Sequence, residues 1–171
     1  MNLPEQYQQF HAEIRSTIPE SRIFTDPVRT LAYGTDASFY RLIPKIVVKV
    51  RTVPEVTAVI HAAHLHKVPL TFRAAGTSLS GQAVTDSVLV MLTGAWGRYE
   101  VLEDGDKIVL EPGIIGAEAN LYLKPYARKI GPDPASINAA MIGGIAANNA
   151  SGMCCGTSDN SYKTVASMKI I

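Results

Sequence analysis

The sequence predicts an α+β fold, and two residue patterns lead to that prediction. The β-branched run KIVVKV at 45–50 is followed by a helix-like segment and by the apolar run VPLTF at 68–72. This strand–helix–strand order indicates parallel strands joined by a crossover helix. Further along, YEVLEDGDKIVLEPG has two strand-forming runs around Asp104-Gly105-Asp106, which predicts an antiparallel hairpin.

The remaining elements of the amino-terminal half follow in order. A first helix is predicted from apolar residues at three- to four-residue spacing: Leu3, Tyr7, Phe10, Ile14 and Ile18. Residues 22–44 contain prolines and aromatics and are expected to form an irregular connection. The crossover helix begins after Thr52, which can cap it, and runs to about Lys67. SVLVML at 87–92 is the next strand.

The carboxyl-terminal half contains a predicted helix, GAEANLYLKPYARK, whose later part Pro125 disturbs. The segment GPDPASINAAMIGGIAANNASG at 131–152 follows and is rich in small residues. The last residues, SYKTVASMKII, resemble the start of an apolar strand, and we expect the chain to be the amino-terminal piece of a longer protein.

Composition and charge limit the possible classes of function. Hydrophobic residues make up 47% of the 171 residues and charged residues 18%, which indicates a globular chain. The net charge of +1, without a cluster of Lys and Arg, argues against a nucleic-acid surface. No run approaches the roughly 18 apolar residues of a membrane helix. The two adjacent cysteines, Cys154 and Cys155, cannot join distant elements, so we expect a reducing, cytoplasmic setting.

The segment RAAGTSLSGQA, Arg73 to Ala83, leaves the carboxyl end of the strand VPLTF, the edge where ligands bind in open α/β sheets. Successive backbone N–H groups among small residues can form an anion-binding nest. Hydroxyl side chains and the cation Arg73 suit a phosphate or pyrophosphate, although neither the P-loop nor the Rossmann glycine pattern is present. An ordinary flexible connection is the alternative interpretation.

The segment at 131–152 offers a second possible ligand surface. Pro132 and Pro134 hold Asp133 in an extended stretch. For Asp133 itself, we favour a structural role in a turn over the role of a catalytic base. Gly143 and Gly144 then open a run of small residues, and a short helix starting there would present free N–H groups. Tight helix packing is the alternative. A ligand with a charged diphosphate and a broad flat ring would use both segments.

Other residues suggest chemistry less strongly. His61 and His64 have metal-ligand spacing on the predicted helix, but surface histidines explain them better because no third ligand is near in sequence. We interpret Cys154 and Cys155 as small reduced core residues rather than a redox pair. A phosphate- or nucleotide-binding module without redox activity, or a scaffold that uses the small residues only for packing, stays open at this point.

The segments RAAGTSLSGQA, PDPAS and MIGGIAANNASG, with the upstream TDASFYRLIPKIVVKVRTVPEVTAVI, resemble the FAD-binding domain of the FAD-linked oxidases. This is the vanillyl-alcohol oxidase superfamily, with a PCMH-type FAD-binding domain, and the most similar branch holds the D-lactate, glycolate and D-2-hydroxyglutarate dehydrogenases. The resemblance implies a small parallel β-α lobe at 22–94, after an amino-terminal helix at 1–21. Residues 95–171 would form the first part of a second lobe, mainly antiparallel and α+β, which is expected to be truncated here.

The resemblance also implies non-covalent FAD as cofactor, since no histidine lies between Lys67 and Ile171 to attach it. Many relatives have glycines at Ala74 and Ala75, which therefore are expected to have ordinary backbone angles here. The implied contacts of the pyrophosphate loop are Arg73, Ala74, Ala75, Gly76, Thr77, Ser78, Ser80 and Gly81. The implied contacts in the second segment are Pro132, Asp133, Ser136, Ile142, Gly143, Gly144, Asn148, Ser151 and Gly152.

The implied function is oxidation of a D-2-hydroxy acid by hydride transfer to flavin N5 in the complete protein, with this fragment alone inactive. The substrate and an electron acceptor would be reached through missing domains, and the catalytic residues stay unknown. SGMCCGTSDNSY resembles the relatives fused to a cysteine-rich domain with iron–sulfur clusters. The implied partners include no nucleic acid, and the expected location is cytoplasmic, with peripheral association with the inner membrane as an alternative.

Overall fold

The computed structural model describes residues 3–171, so the first two residues of the predicted helical segment 1–21 lie outside the described residues. The chain divides into two compact units. The first extends to Thr93 and includes Ile171, and the second is Gly94–Ile170.

The first unit contains a four-stranded sheet of β1 (Ile23–Phe24), β2 (Ile46–Val50), β3 (Leu70–Arg73) and β4 (Val88–Leu92). The strand order is β1-β2-β4-β3, and only β1 is antiparallel to its neighbour. β2 and β3 are therefore parallel, as predicted, but β4 lies between them. Val88, Leu89 and Val90 of this central strand are completely buried, because neighbours cover both of its edges and both of its faces.

Three helices belong to this unit: α1 (Glu5–Ile14), α2 (Pro27–Ala32) and α3 (Val53–His66). The apolar stripe of α1 is buried, and Ile18 is also buried although it lies beyond the helix end. Thr52 caps α3 as predicted by accepting a hydrogen bond from the Glu55 N–H at 3.4 Å. Lys67, in the left-handed conformation, ends that helix.

The expectation of an irregular connection over 22–44 was partly wrong, because β1 and α2 lie within it. Asp26 caps α2 by accepting a hydrogen bond from the Arg29 N–H at 2.9 Å, and Pro27 occupies its first turn. This pair of residues is a standard helix-start signal, but the six-residue helix that follows is too short to show a periodic pattern.

The second unit contains the predicted hairpin, with β5 (Tyr99–Leu102) antiparallel to β6 (Lys107–Leu110). Three helices follow: α4 (Gly116–Leu123), α5 (Ile142–Ala147) and α6 (Ser161–Thr164). A short 3-10 turn at Lys124–Tyr126 continues α4, which fits the expected disturbance by Pro125. The strand expected in SYKTVASMKII is absent from the described chain, where α6 precedes an extended, exposed stretch without strand pairing.

Candidate functional site

The connection between β3 and β4 carries the first predicted ligand surface. Because the two strands are parallel neighbours, residues 74–87 must return from the carboxyl edge of the sheet to its amino edge. At the amino edge the connection is anchored by Ser87, whose hydroxyl donates to the Pro69 carbonyl at 2.7 Å. The first residues after Arg73 therefore lie at the carboxyl edge, where open α/β sheets bind ligands.

The backbone of this connection combines left-handed glycines with N–H groups that have no acceptor among the described residues. Gly76 and Gly81 have φ values of +70° and +75°, whereas neither Ala74 nor Ala75 has a positive φ, as expected from their Cβ atoms. Within residues 3–171, no backbone N–H from residue 75 to residue 79 donates a hydrogen bond. Such donors, clustered around a left-handed glycine, are available for a phosphate.

Three hydroxyl side chains were predicted to add donors to this loop. Ser78 Oγ donates to the side-chain oxygen of Gln82 and accepts a hydrogen bond from the Ser80 N–H at 3.3 Å. The hydroxyls of Thr77 and Ser80 make no hydrogen bond to another residue of the described chain. Thr77 and Ser80 can therefore donate to a ligand without first breaking an internal bond.

Arg73 has a different position from the one its charge suggested. Its side chain is buried, and its Nη1 donates to the carbonyl oxygens of Tyr33 and Thr35 at 3.0 and 3.1 Å. Nε donates to the Ala83 carbonyl at 2.7 Å, and Nη2 donates to the same oxygen. The guanidinium is thus committed to backbone acceptors and fastens the two ends of the loop, instead of standing free as a cation at the loop entrance.

A second stretch of chain backs the loop, and the sequence patterns alone did not identify its role. The Ala37 N–H donates to the Gly76 carbonyl at 3.0 Å. The ring of Tyr40 covers Gly81, where an added Cβ would lie 2.7 Å from a ring carbon. An open cleft of about 300 Å³ lies here, and it is lined by Tyr40, Gly81, Arg41, Leu42, Ser80 and Val84.

The second predicted segment uses its glycines in another way. The N–H groups of Ile142 and Gly143, expected to be free at the start of α5, donate to the carbonyls of Ile114 and Pro112 at 2.8 and 2.9 Å. A Cβ at Gly143 would lie 2.8 Å from the Cβ of Pro112. The expectation of a free helix start was therefore wrong for these two residues, because the preceding loop packs against α5 and occupies their donors.

Asp133 and Gly152 form the closest contact in this segment. An added Cβ at Gly152 would overlap both the carboxylate and the backbone carbonyl of Asp133. Asp133 Oδ1 accepts a hydrogen bond from the Cys155 N–H at 3.2 Å, and hydrogen bonds from Cys155 hold the pKa of Asp133 below its usual value. The contact supports the structural role that we favoured for this carboxylate.

The other residues of the second segment hold the backbone around α5. The Ser136 carbonyl accepts hydrogen bonds from Ala139 and Ala140, and the Asn148 side chain donates to the Gly144 carbonyl at 3.1 Å. Sequence reasoning missed Ser161, a buried residue whose hydroxyl lies 3.0 and 2.9 Å from the carbonyl oxygens of Ile145 and Ala150. A lone serine near the chain end gives no sequence signal for such contacts.

Pro132 is buried, whereas Ser151 is half-buried like Ile142 and Gly144. The structure brings the residues of each predicted segment together around that segment's own turn.

The remaining candidate residues are the histidines of α3 and the two cysteines. No group of three or more potential metal ligands occurs in the described part of the chain. His61 and His64 are exposed on α3, in agreement with the surface interpretation. The cysteine interpretation was right for Cys155, which is buried, and wrong for Cys154, which is exposed, and both are free thiols. Among the described residues, no helix has the length and apolar character needed to cross a membrane.

Comparison with known protein families gives one match that covers most of the chain. A family model described as FAD binding domain matches residues 44–171, which include both small-residue segments. The glycolate oxidase subunit GlcD of Escherichia coli K12 is 32% identical over 147 residues, 83% of this chain and 29% of that protein. The D-2-hydroxyglutarate dehydrogenase of the same strain is 30% identical over 126 residues, 71% of this chain and 12% of that protein. The chain thus spans less than a third of these relatives.

Solved structures agree on the fold. Alkyldihydroxyacetonephosphate synthase superposes with a TM-score of 0.73 and 19% identity, covering 89% of this chain and 31% of that one. The 4-ethylphenol oxidase from Gulosibacter chungangensis has a TM-score of 0.66 and 20% identity, covering 88% and 30%. The α+β fold is therefore that of the PCMH-type FAD-binding domains, as the sequence resemblance implied.

Proposed function

The chain belongs to the family of FAD binding domains, and we propose that it is the cofactor-binding part of a flavoprotein oxidoreductase. The observation that carries the proposal is the loop after β3, whose backbone N–H groups at 75–79 have no acceptor within residues 3–171. A diphosphate provides several anionic oxygens and would satisfy such a row of donors.

The residues of the loop fit a diphosphate. The left-handed conformations of Gly76 and Gly81 let the chain turn sharply, and the hydroxyls of Thr77 and Ser80 are uncommitted. Arg73 does not contact the ligand in this proposal, but it keeps the two ends of the loop together. The remaining predicted contacts, at Ala74, Ala75 and Ser78, would be made through the backbone or a short side chain.

In the second segment, the proposed contacts come from a smaller set of groups. The Gly144 N–H is the one donor among the first three residues of α5 that no carbonyl in the described chain accepts. Asp133, Gly143 and Gly152 would shape the surface through packing, and the flavin side of the cofactor would lie against small residues. No histidine occurs after His66, which supports non-covalent binding.

For the complete protein, we propose a D-2-hydroxy acid as substrate, on the basis of the similarity to GlcD and to D-2-hydroxyglutarate dehydrogenases. FAD supplies a hydride acceptor at N5, so the substrate α-carbon loses a hydride, its hydroxyl loses a proton, and a 2-oxo acid results. The two electrons would then pass to an acceptor outside this chain, for which iron–sulfur clusters in a further domain are a candidate. We assign no catalytic residue within residues 1–171.

The test uses the full-length protein. Titration with FAD should quench flavin fluorescence at a one-to-one ratio, and precipitation with acid should release all of the flavin because it is not covalently bound. Addition of D-lactate, glycolate or D-2-hydroxyglutarate without an acceptor should then bleach the visible absorbance, whereas L-lactate should not. A protein that takes up no FAD contradicts the cofactor proposal, and a flavoprotein that none of these acids bleaches contradicts the substrate class.

A further inference from the structure

Asp36 lies directly behind the pyrophosphate loop and is outside every residue set considered above for cofactor contact. One of its carboxylate oxygens, Oδ1, accepts a hydrogen bond from the Ser38 N–H at 2.8 Å. The other, Oδ2, is buried and accepts no hydrogen bond from residues 3–171. A buried carboxylate oxygen without a hydrogen-bond donor is costly unless a nearby charge compensates it.

Arg73 supplies that charge. Burial raises the pKa of Asp36, but hydrogen bonds from Ser38, the positive charge of Arg73 and the nearby backbone N–H of Ala83 lower it by more, so the carboxyl stays ionised. Burial lowers the pKa of Arg73, and the Asp36 charge opposes that change. Arg73 is thus the compensating charge for Asp36, while its guanidinium donates its hydrogen bonds to the carbonyls of Tyr33, Thr35 and Ala83.

Both side chains also contact the residue at the turn of the loop. A Cβ at Gly76 would lie 3.2 Å from Arg73 Cδ and 3.5 Å from Asp36 Cβ. The adjacent Ala37 N–H donates to the Gly76 carbonyl at 3.0 Å. Gly76 thus packs against Arg73 and Asp36, and its carbonyl is held by Ala37.

We infer that Asp36 is a positioning residue for diphosphate binding, acting through Arg73 and the Gly76 turn without touching the ligand. The inference rests on the proposed function, because it concerns the same loop. It predicts a change in FAD affinity opposite to the one that charge repulsion alone would give. A carboxylate close to a diphosphate repels it, so simple removal of the charge would strengthen binding. Loss of a positioning residue would weaken it.

The experiment compares Asp36→Asn with wild type in the full-length protein, and Asp86→Asn, an exposed position in the same connection, is the matched control. Each protein is titrated with FAD and with riboflavin, which lacks the diphosphate. We expect Asp36→Asn to weaken FAD binding about tenfold, the equivalent of one misplaced charge-assisted contact, and to change riboflavin binding by less than about twofold.

A second variant keeps the test decisive if Asp36→Asn does not fold. Arg73→Lys retains a charge but loses the fork that reaches several carbonyls, and it should show the same selective loss of FAD over riboflavin. If both single variants fold, the double variant should bind FAD no more weakly than whichever single variant has the lower FAD affinity. The reason is that both substitutions act through the same pair of residues.

Stronger or unchanged FAD binding by Asp36→Asn, equal losses for FAD and riboflavin, or additive losses in the double variant would overturn the inference. These results leave the proposed function intact, because the wild type still binds FAD. A wild-type protein that binds no FAD overturns both proposals together.

Discussion

Gly76 and Gly143 both lie in segments rich in small residues, but their surroundings differ. The loop around Gly76 leaves five successive residues, 75–79, with backbone N–H groups that donate to nothing in the described chain. The Gly143 N–H donates to the Pro112 carbonyl, and its Cα lies against the same proline. Small residues therefore keep the backbone accessible in one segment, while in the other they let two stretches of backbone pack closely.

The contrast shows that glycine and alanine content alone does not identify a ligand surface. What distinguishes the two segments is whether the donors exposed by small residues already have acceptors. In the first loop these donors have no acceptor in the described chain. At the start of α5, two of the first three backbone N–H groups already donate to a carbonyl. Substitutions that add a methyl group should therefore affect mainly stability in one segment and mainly cofactor affinity in the other.

The largest expected effect is that of Gly152→Ala. The new methyl group would overlap the Asp133 carboxylate and carbonyl, so backbone must move, and we expect a loss of about 3 kcal/mol in the free energy of unfolding. Urea denaturation of the full-length protein without FAD would measure it. Gly94→Ala is the matched control because nothing lies within 4 Å of the added Cβ. Equal stability of the two variants would contradict the packing role of Gly152.

Gly76→Ala should give the opposite pattern. Its φ of +70° makes alanine unfavourable by about 1 kcal/mol. The altered turn should also weaken FAD binding about tenfold, because the backbone that carries the uncommitted N–H groups of residues 75–79 would change its conformation. Fluorescence titration with FAD, alongside denaturation without FAD, separates the two effects. If the variant lost stability alone and bound FAD normally, the loop would be a packing segment like the one around Gly143.

The smallest expected effect concerns Asp133 and acid. Because hydrogen bonds from Cys155 hold its pKa in the folded protein below the usual 3.8, ionised Asp133 stabilises the fold at higher pH. That contribution is present above the unfolded pKa and is lost as the pH falls through the folded pKa. Asp133→Asn should therefore have a shallower loss of stability on acidification below about pH 4 than wild type. Denaturation across that range checks it, and identical slopes would show that the carboxylate charge contributes nothing there.

Much of the fold was predictable from local patterns. The apolar runs at 45–50 and 87–92 became β2 and β4, and the cap at Thr52 fixed the start of α3. The short elements β1 and α2 were missed because two and six residues are too few for a periodic pattern. The order of the strands was also open, since a parallel pair in sequence need not be adjacent in the sheet, and β4 lies between β2 and β3.

For the candidate site, the sequence identified the two segments and the class of ligand through family resemblance. It did not identify Asp36 as a partner of Arg73, because one strand, β2, and one helix, α3, separate Asp36 from the strand that carries Arg73. It also did not show that Ser161 holds the end of α5. Contacts of this kind depend on which distant residues the fold brings together.

By itself, the sequence determined α1, α3, α4, the main strands and the position of the loop after β3, since these depend on residues close together along the chain. Only the tertiary structure decided what each backbone donor and each charge is paired with. Arg73 reaches the carbonyl of Tyr33, a separation of 40 residues, and Gly143 meets Pro112. Burial forces polar groups to find partners among whatever neighbours the fold supplies, and those partners decide which loop stays open for a ligand.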